Sequence, residues 1–192
     1  PNLPSRLTQQ MDAIAASSGG NDVILGVLRK DKNAIAAGIK VLNNPNSDSI
    51  TRLELAKAFG TIEQPIVSPA LLKHLGRDQQ SALKRVSLQA LANYEDPRIP
   101  KTILSRYGST LPSEHHVRST ADLVMAGRLD WARQFLETID LAHIKARDIA
   151  PDVVQLLLQH RDPEINRKVA EHWPDQQPKT SAENQREMAR IK

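Results

Sequence analysis

The fold is decided by one stretch, Gly76-Arg77-Asp78-Gln79-Gln80-Ser81-Ala82-Leu83-Lys84-Arg85-Val86-Ser87-Leu88-Gln89-Ala90-Leu91-Ala92-Asn93-Tyr94-Glu95-Asp96-Pro97-Arg98-Ile99-Pro100-Lys101-Thr102-Ile103-Leu104-Ser105-Arg106-Tyr107. Leu88, Leu91 and Ala92 stand at i, i+3 and i+4, the spacing of one helical face. Asp96-Pro97 then stops that helix and opens another, with a carboxylate at the N-cap and a proline at the first helical position, where its missing N–H costs nothing.

Working outward, the same pattern recurs. With Arg52, Arg85 and Arg118 in register, 33 residues apart, Leu55 aligns with Leu88 and Ala121, Ala58 with Leu91 and Val124, and Phe59 with Ala92 and Met125. Upstream of each stripe an earlier helix ends, at Ile39–Leu42, Leu72–Leu75 and Ile103–Tyr107. A period of this length with two helices per copy is the signature of a stacked repeat. Ser68-Pro69, Ala150-Pro151 and Asp162-Pro163 mark further helix starts. The pattern predicts helices over 5–17, 21–30, 33–43, 48–61, 65–75, 79–93, 97–107, 112–126, 129–139, 145–160 with a break at Pro151, 163–173 and 181–192. The last follows a capping box, Thr180 with Glu183, and no stop signal precedes Lys192, so the natural protein is expected to continue. Residues 1–178 read as one repeat domain and 179–192 as a terminal helix or a linker to a following domain.

Composition agrees with helices. Aromatics are few, Phe59, Phe135, Trp131, Trp173, Tyr94 and Tyr107, while Leu, Ala and Ile supply most of the apolar content, a balance that suits helix packing better than a pleated sheet. The chain of 192 residues contains no cysteine, which excludes disulfides, thiolate metal sites and thiol nucleophiles. No apolar run reaches the roughly 20 residues that cross a bilayer. Direct membrane insertion is not expected.

Residues 76–107 resemble HEAT repeats, in which an arginine precedes an Ala/Leu helix, an Asp-Pro turn follows and an Ile-Pro opens the next helix, here Arg85, Asp96-Pro97 and Ile99-Pro100. Weaker copies at 44–60, 112–126 and 162–173 keep the stripe and lose parts of the turn. The resemblance covers most of 30–173 and implies an all-α fold: a right-handed α-α superhelix of the HEAT/armadillo type with about five helix pairs. A second resemblance lies in Asp148-Ile-Ala-Pro-Asp-Val-Val-Gln-Leu-Leu-Leu-Gln-His160-Arg-Asp-Pro-Glu-Ile165-Asn-Arg-Lys-Val-Ala170. It looks like the HEAT-like segment ahead of the c-type haem domain in planctomycete-type membrane-bound dehydrogenase-like proteins. That resemblance implies an exported or periplasmic location and haem in an adjoining domain; without it the location reads as cytoplasmic. No cofactor is expected in this chain itself.

The net charge of +4 gathers in residues 73–118, and stacked repeats would place Lys73, Arg77, Lys84, Lys101 and Arg106 on a continuous basic face, the candidate surface contact. Only Tyr94 and Tyr107 are offered there for stacking on bases. Other candidates have plain structural readings. Ser81-Ala82-Leu83-Lys84 has the Ser-x-x-Lys spacing of an activated serine but lacks the companion motifs. His115 and His116 are adjacent, so on a helix they diverge by about 100° and cannot chelate one ion. His74, His160 and His172 sit near expected helix C-termini, where positive charge suits the dipole. Arg52, Arg85 and Arg118 read as a structural ladder to neighbouring repeats, and Trp131 and Trp173 as core.

No catalytic or metal-binding residue emerges. The sequence points to a non-catalytic interaction and spacer scaffold, partnered by a protein or by neighbouring domains of the same polypeptide. The rival is a basic HEAT-like nucleic-acid-binding protein, resembling alkylpurine DNA glycosylases.

Overall fold

In a computed structural model, residues 22–77 and 79–176 are described; the expected helices 5–17 and 181–192 lie outside them. Every regular element among the described residues is helical, apart from a single bridge between Tyr107 and Leu111. The chain divides into two compact units, Pro1–Ala121 and Asp122–Lys192.

In the first unit a helical stretch over 22–28 precedes α1 (Lys32–Asn43), α2 (Ser49–Ile62), α3 (Ser68–Lys73), α4 (Ser81–Leu91) and α5 (Arg98–Arg106). The unit boundary falls within α6 (Val117–Ala126). The second unit continues with α7 (Leu129–Asp140), α8 (Pro151–Gln159) and α9 (Pro163–His172).

Short polar residues start these helices as their chemistry requires. Asp31 accepts from the Ala34 N–H at 2.8 Å, and Asp48 from the Thr51 N–H at 2.8 Å. Asp162 accepts from the Glu164 and Ile165 N–H groups at 3.1 and 3.0 Å, with Pro163 in the first turn. At Asp96-Pro97 the helix begins one residue later than the pattern suggests, at Arg98, whose N–H the Asp96 carboxylate accepts at 2.9 Å. Each supplies an acceptor to donors that have no partner inside the helix.

Two expected helices are shorter than their apolar pattern. The stretch 65–75 is a 3-10 turn, Pro65–Val67, followed by α3, because Pro69 forces a fresh start. The stretch 112–126 holds a 3-10 turn at Glu114–His116 and only then α6. His115 and His116 both have positive φ, 52° and 59°, which ends any continuous right-handed helix there.

The stripes are buried. In the first unit Leu55, Phe59, Leu88, Leu91 and Ala121 are fully buried, with Ala58 nearly so, while Ala92 is half-buried; in the second unit Met125 is fully buried and Val124 nearly so. In the first unit α2 and α4, and likewise α3 and α5, lie side by side and run the same way. Arg52 near the start of α2 reaches Gln79 just ahead of α4, while Phe59 and Gly60 near its end meet Tyr94 and Asn93 just after α4. Ser68 at the start of α3 bonds Asp96 just ahead of α5, and Leu72 near its end meets Arg106 at the end of α5. The second unit repeats the relation: Arg133 pairs with Asp162 at the N-cap of α9, and Asp140 at the end of α7 with Lys168 and His172. Its core is Phe135, Leu136, Val154, Leu157, Ile165 and Val169, closed by Trp131 and Trp173.

α2 and α4 approach closely at Gly60, where a Cβ would stand 2.9 Å from Ala90 Cα and 3.0 Å from Ala90 Cβ. Gly60→Ala is expected to push the two helices apart and to cost about 1–3 kcal/mol as an overpacked core, read as a lower urea midpoint with an unchanged slope.

Candidate interaction surface

The five basic residues that the sequence puts on one face divide by burial. Lys73, Arg77 and Lys101 are exposed. Lys84 is 5 % exposed, and its Nζ donates to the Thr110 carbonyl at 2.6 Å. Arg106 is half-buried and donates to the Leu72 carbonyl at 2.8 Å. Lys84 is therefore not a surface residue, and both it and Arg106 bind backbone oxygen within the fold. A buried ammonium or guanidinium needs such acceptors, since an unpaired charge in the interior is expensive. The Ser81/Lys84 spacing acquires the same meaning: the lysine is a tie to the segment after α5.

The arginine ladder is one rung strong. Arg52, 8 % exposed, donates through Nε to the Leu42 carbonyl at 3.0 Å and through NH2 to Gln79 Oε1 at 3.3 Å, joining the end of α1 to the approach of α4. Arg85 reaches the His115 carbonyl at 3.5 Å. Arg118 lies over the Tyr107 ring, 5.3 Å from its centroid, a cation–π contact. Register is shared by these three residues, but partners are not.

The histidines depart from dipole capping. His74 is buried, and burial, the largest influence, lowers its pKa, so the neutral ring is favoured; the positive charge at the end of α3 comes from Lys73 and from Arg106 on the Leu72 carbonyl, and the His74 backbone N–H caps Leu71 and Leu72. His160 places Nε2 at 2.6 Å from the Ala126 carbonyl, at the end of α6 and not of its own helix. His172 joins Asp140 at 2.6 Å, and Lys168 takes the other carboxylate oxygen. Burial raises the Asp140 pKa, but the Lys168 and His172 hydrogen bonds outweigh it and hold the carboxyl below its usual value. Asp96 is held lower still, chiefly by its hydrogen bonds from Arg98, against burial and with help from Ser68. His115 and His116 are exposed.

Trp131 and Trp173 are buried as their patterns suggest. Trp131 carries the Arg128 guanidinium 4.8 Å above its ring, and Trp173 donates to the Ala146 carbonyl at 2.9 Å. Tyr94, 3 % exposed, is sealed in the core with its hydroxyl donating to the Phe59 carbonyl at 2.5 Å. Burial raises the phenol pKa well above its ordinary value.

Asn93, Tyr94, Thr110 and Gln79 are the functional ties that the sequence reading passed over, and a signal for most of them was present. Asn93 donates to Gly60, Arg106 to Leu72, His160 to Ala126, Tyr94 to Phe59 and Thr110 to Leu75, across 33, 34, 34, 35 and 35 residues. Each acceptor is a carbonyl close to the end of α2, α3 or α6, where intrahelical donors run out. Gly60 and Ala126 occupy equivalent places, each eight residues after a register arginine, Arg52 and Arg118. One repeat length thus separates donor from acceptor.

Among the described residues, no group of three or more His, Asp or Glu side chains is placed to hold a metal ion, and no helix is long and apolar enough to cross a membrane. The chain matches no protein-family model, no curated protein and no solved structure.

Tyr94→Phe leaves the Phe59 carbonyl buried without this donor and is expected to cost about 1–2 kcal/mol. Chemical unfolding of the two proteins at pH 7 measures the difference, and equal midpoints would show that the hydroxyl carries no net stabilisation.

Proposed function

We propose that this chain is a non-catalytic interaction and spacer module of a larger polypeptide, built as a HEAT-like α-α superhelix. The observation that carries the reading is a set of five cross-links in which a side-chain donor and a carbonyl near a helix end stand 33 to 35 residues apart. Contacts made one repeat at a time are what a stack of helix pairs requires. They favour a body whose polar chemistry serves its own assembly and whose outer surface is offered to other domains.

The proposal takes its neighbour from the resemblance of residues 148–170: a cytochrome-like domain carrying covalent haem, outside the cytoplasm. Such haem is attached through Cys-x-x-Cys-His, and this chain contains no cysteine, so the haem belongs to the adjoining domain. The module then sets the distance between that domain and a catalytic partner.

The nucleic-acid alternative draws less support. Of the five basic residues, Lys84 and Arg106 hold carbonyls, and Tyr94 is buried.

Two measurements test the proposal. An antibody against this chain is expected to detect, in its source cells, a protein much larger than the chain alone, and that band is expected to stain for covalent haem. A band of the chain's own mass without haem overturns the multidomain reading. On immobilised duplex DNA at about 0.15 M salt, weak and salt-insensitive retention is expected; strong retention with a steep salt dependence, reduced by the combined Lys73→Ala, Arg77→Ala and Lys101→Ala changes, replaces the spacer by a nucleic-acid binder.

A further inference from the structure

His74 stands at the C-terminal end of α3 with its ring 1 % exposed. Its Nδ1 lies 3.2 Å from Gln79 Oε1, an acceptor, so Nδ1 carries the proton of the neutral ring. Nε2 is then a bare lone pair, buried and without a hydrogen-bond partner among the described residues. The same Gln79 oxygen accepts from Arg52 at 3.3 Å, and Arg52 also holds the Leu42 carbonyl. One amide oxygen therefore joins α2, the end of α3 and the chain entering α4.

The charge around this oxygen is positive. Arg52 from α2 and Lys73 from α3 itself face the imidazole. On the other elements packed nearby, Lys84 and Arg85 of α4 are turned to the Thr110 and His115 carbonyls, Arg106 of α5 to the Leu72 carbonyl, and Lys40 of α1 is exposed.

We propose that Arg52, Gln79 and His74 form an acid-sensitive latch: a second proton, taken up at Nε2, creates a buried imidazolium beside the Arg52 guanidinium with no acceptor among the described residues for its new N–H, and the junction of α2, α3 and α4 opens. Burial holds His74 below its ordinary pKa; the Gln79 hydrogen bond opposes this, and Arg52 and Lys73 add to it. The folded chain thus binds this proton at lower pH than the unfolded chain does. Stability from this group is fully present above the ordinary histidine value of about 6.5 and is lost as pH falls below it toward the folded-state value. Asp48, Asp96, Asp140 and Asp162 are each held below the ordinary carboxylate value near 4 and stay ionised across the same window.

The test compares the wild-type chain, His74→Leu and Gln79→Glu by urea unfolding at pH 7.5 and pH 5, with histidine ring NMR on the wild type. The wild-type midpoint is expected to fall between the two pH values. His74→Leu is expected to lose less, having no ring to protonate. Gln79→Glu is expected to lose less too, because a carboxylate accepts from both cations and favours the charged ring. His160 and His172 are common to all three proteins and cancel. In the NMR titration the His74 resonance is expected to move below the ordinary histidine value of about 6.5. Titration of His74 at or above that value overturns the latch, and so do equal midpoint shifts in all three proteins. Where His74→Leu does not fold, the wild-type titration and Gln79→Glu decide.

Discussion

The carbonyl oxygens at the end of a helix have no donor of their own, and in this protein side chains 33 to 35 residues further along the chain supply several of them. Asn93 and Tyr94 serve the end of α2, Arg106 and Thr110 the end of α3, and His160 the end of α6. A single helix hairpin is too thin to bury its apolar edge, so packing draws the next parallel helix alongside. The carbonyl bonds then fix where along its length that helix sits, since a shift by one turn, about 5.4 Å, would strand both donor and acceptor. Hydrophobic stripes bring the helices together, and the polar ends set their register.

This arrangement explains why so much of the basic charge is unavailable at the surface. Lys84, Arg52 and Arg106 carry long apolar stems that pass through the packed layer and end on oxygen. Lys168 does the same in the second unit with Asp140. A positive balance in the sequence is therefore partly a record of internal wiring. Of the five basic residues of the candidate face, Lys73, Arg77 and Lys101 are the ones that solvent meets.

Much of the fold was legible in the sequence because it rests on periodicity and helix starts. The Leu55, Leu88 and Ala121 rows are buried, and α9 begins at Asp162-Pro163 as read. The candidate surface was less legible. Charge has no period of its own, so nothing in Lys84 distinguishes it from Lys101 until Thr110 is seen to face it. The stretch 112–126 misled because His115 and His116 adopt left-handed backbone, a conformation that histidine takes more readily than most residues but that remains uncommon. His74 reads as a dipole partner from its position alone, and only the surrounding burial makes it neutral. The ties themselves leave a trace in the sequence: Asn93 and His160 follow their acceptors Gly60 and Ala126 by 33 and 34 residues, almost the interval of the arginines, but donor and acceptor are unlike residues and share no apolar stripe.

The near-constant interval between donor and acceptor also bears on how such a chain can change in length. Inserting one or two residues between Gly60 and Asn93 would slide the amide off its oxygen while leaving every hydrophobic side chain present. Duplicating a whole copy would carry an oxygen and its donor along together. Growth by entire modules is thus chemically silent at the joints, whereas small insertions between the paired atoms are not, and the evolutionary freedom of this architecture is quantised accordingly.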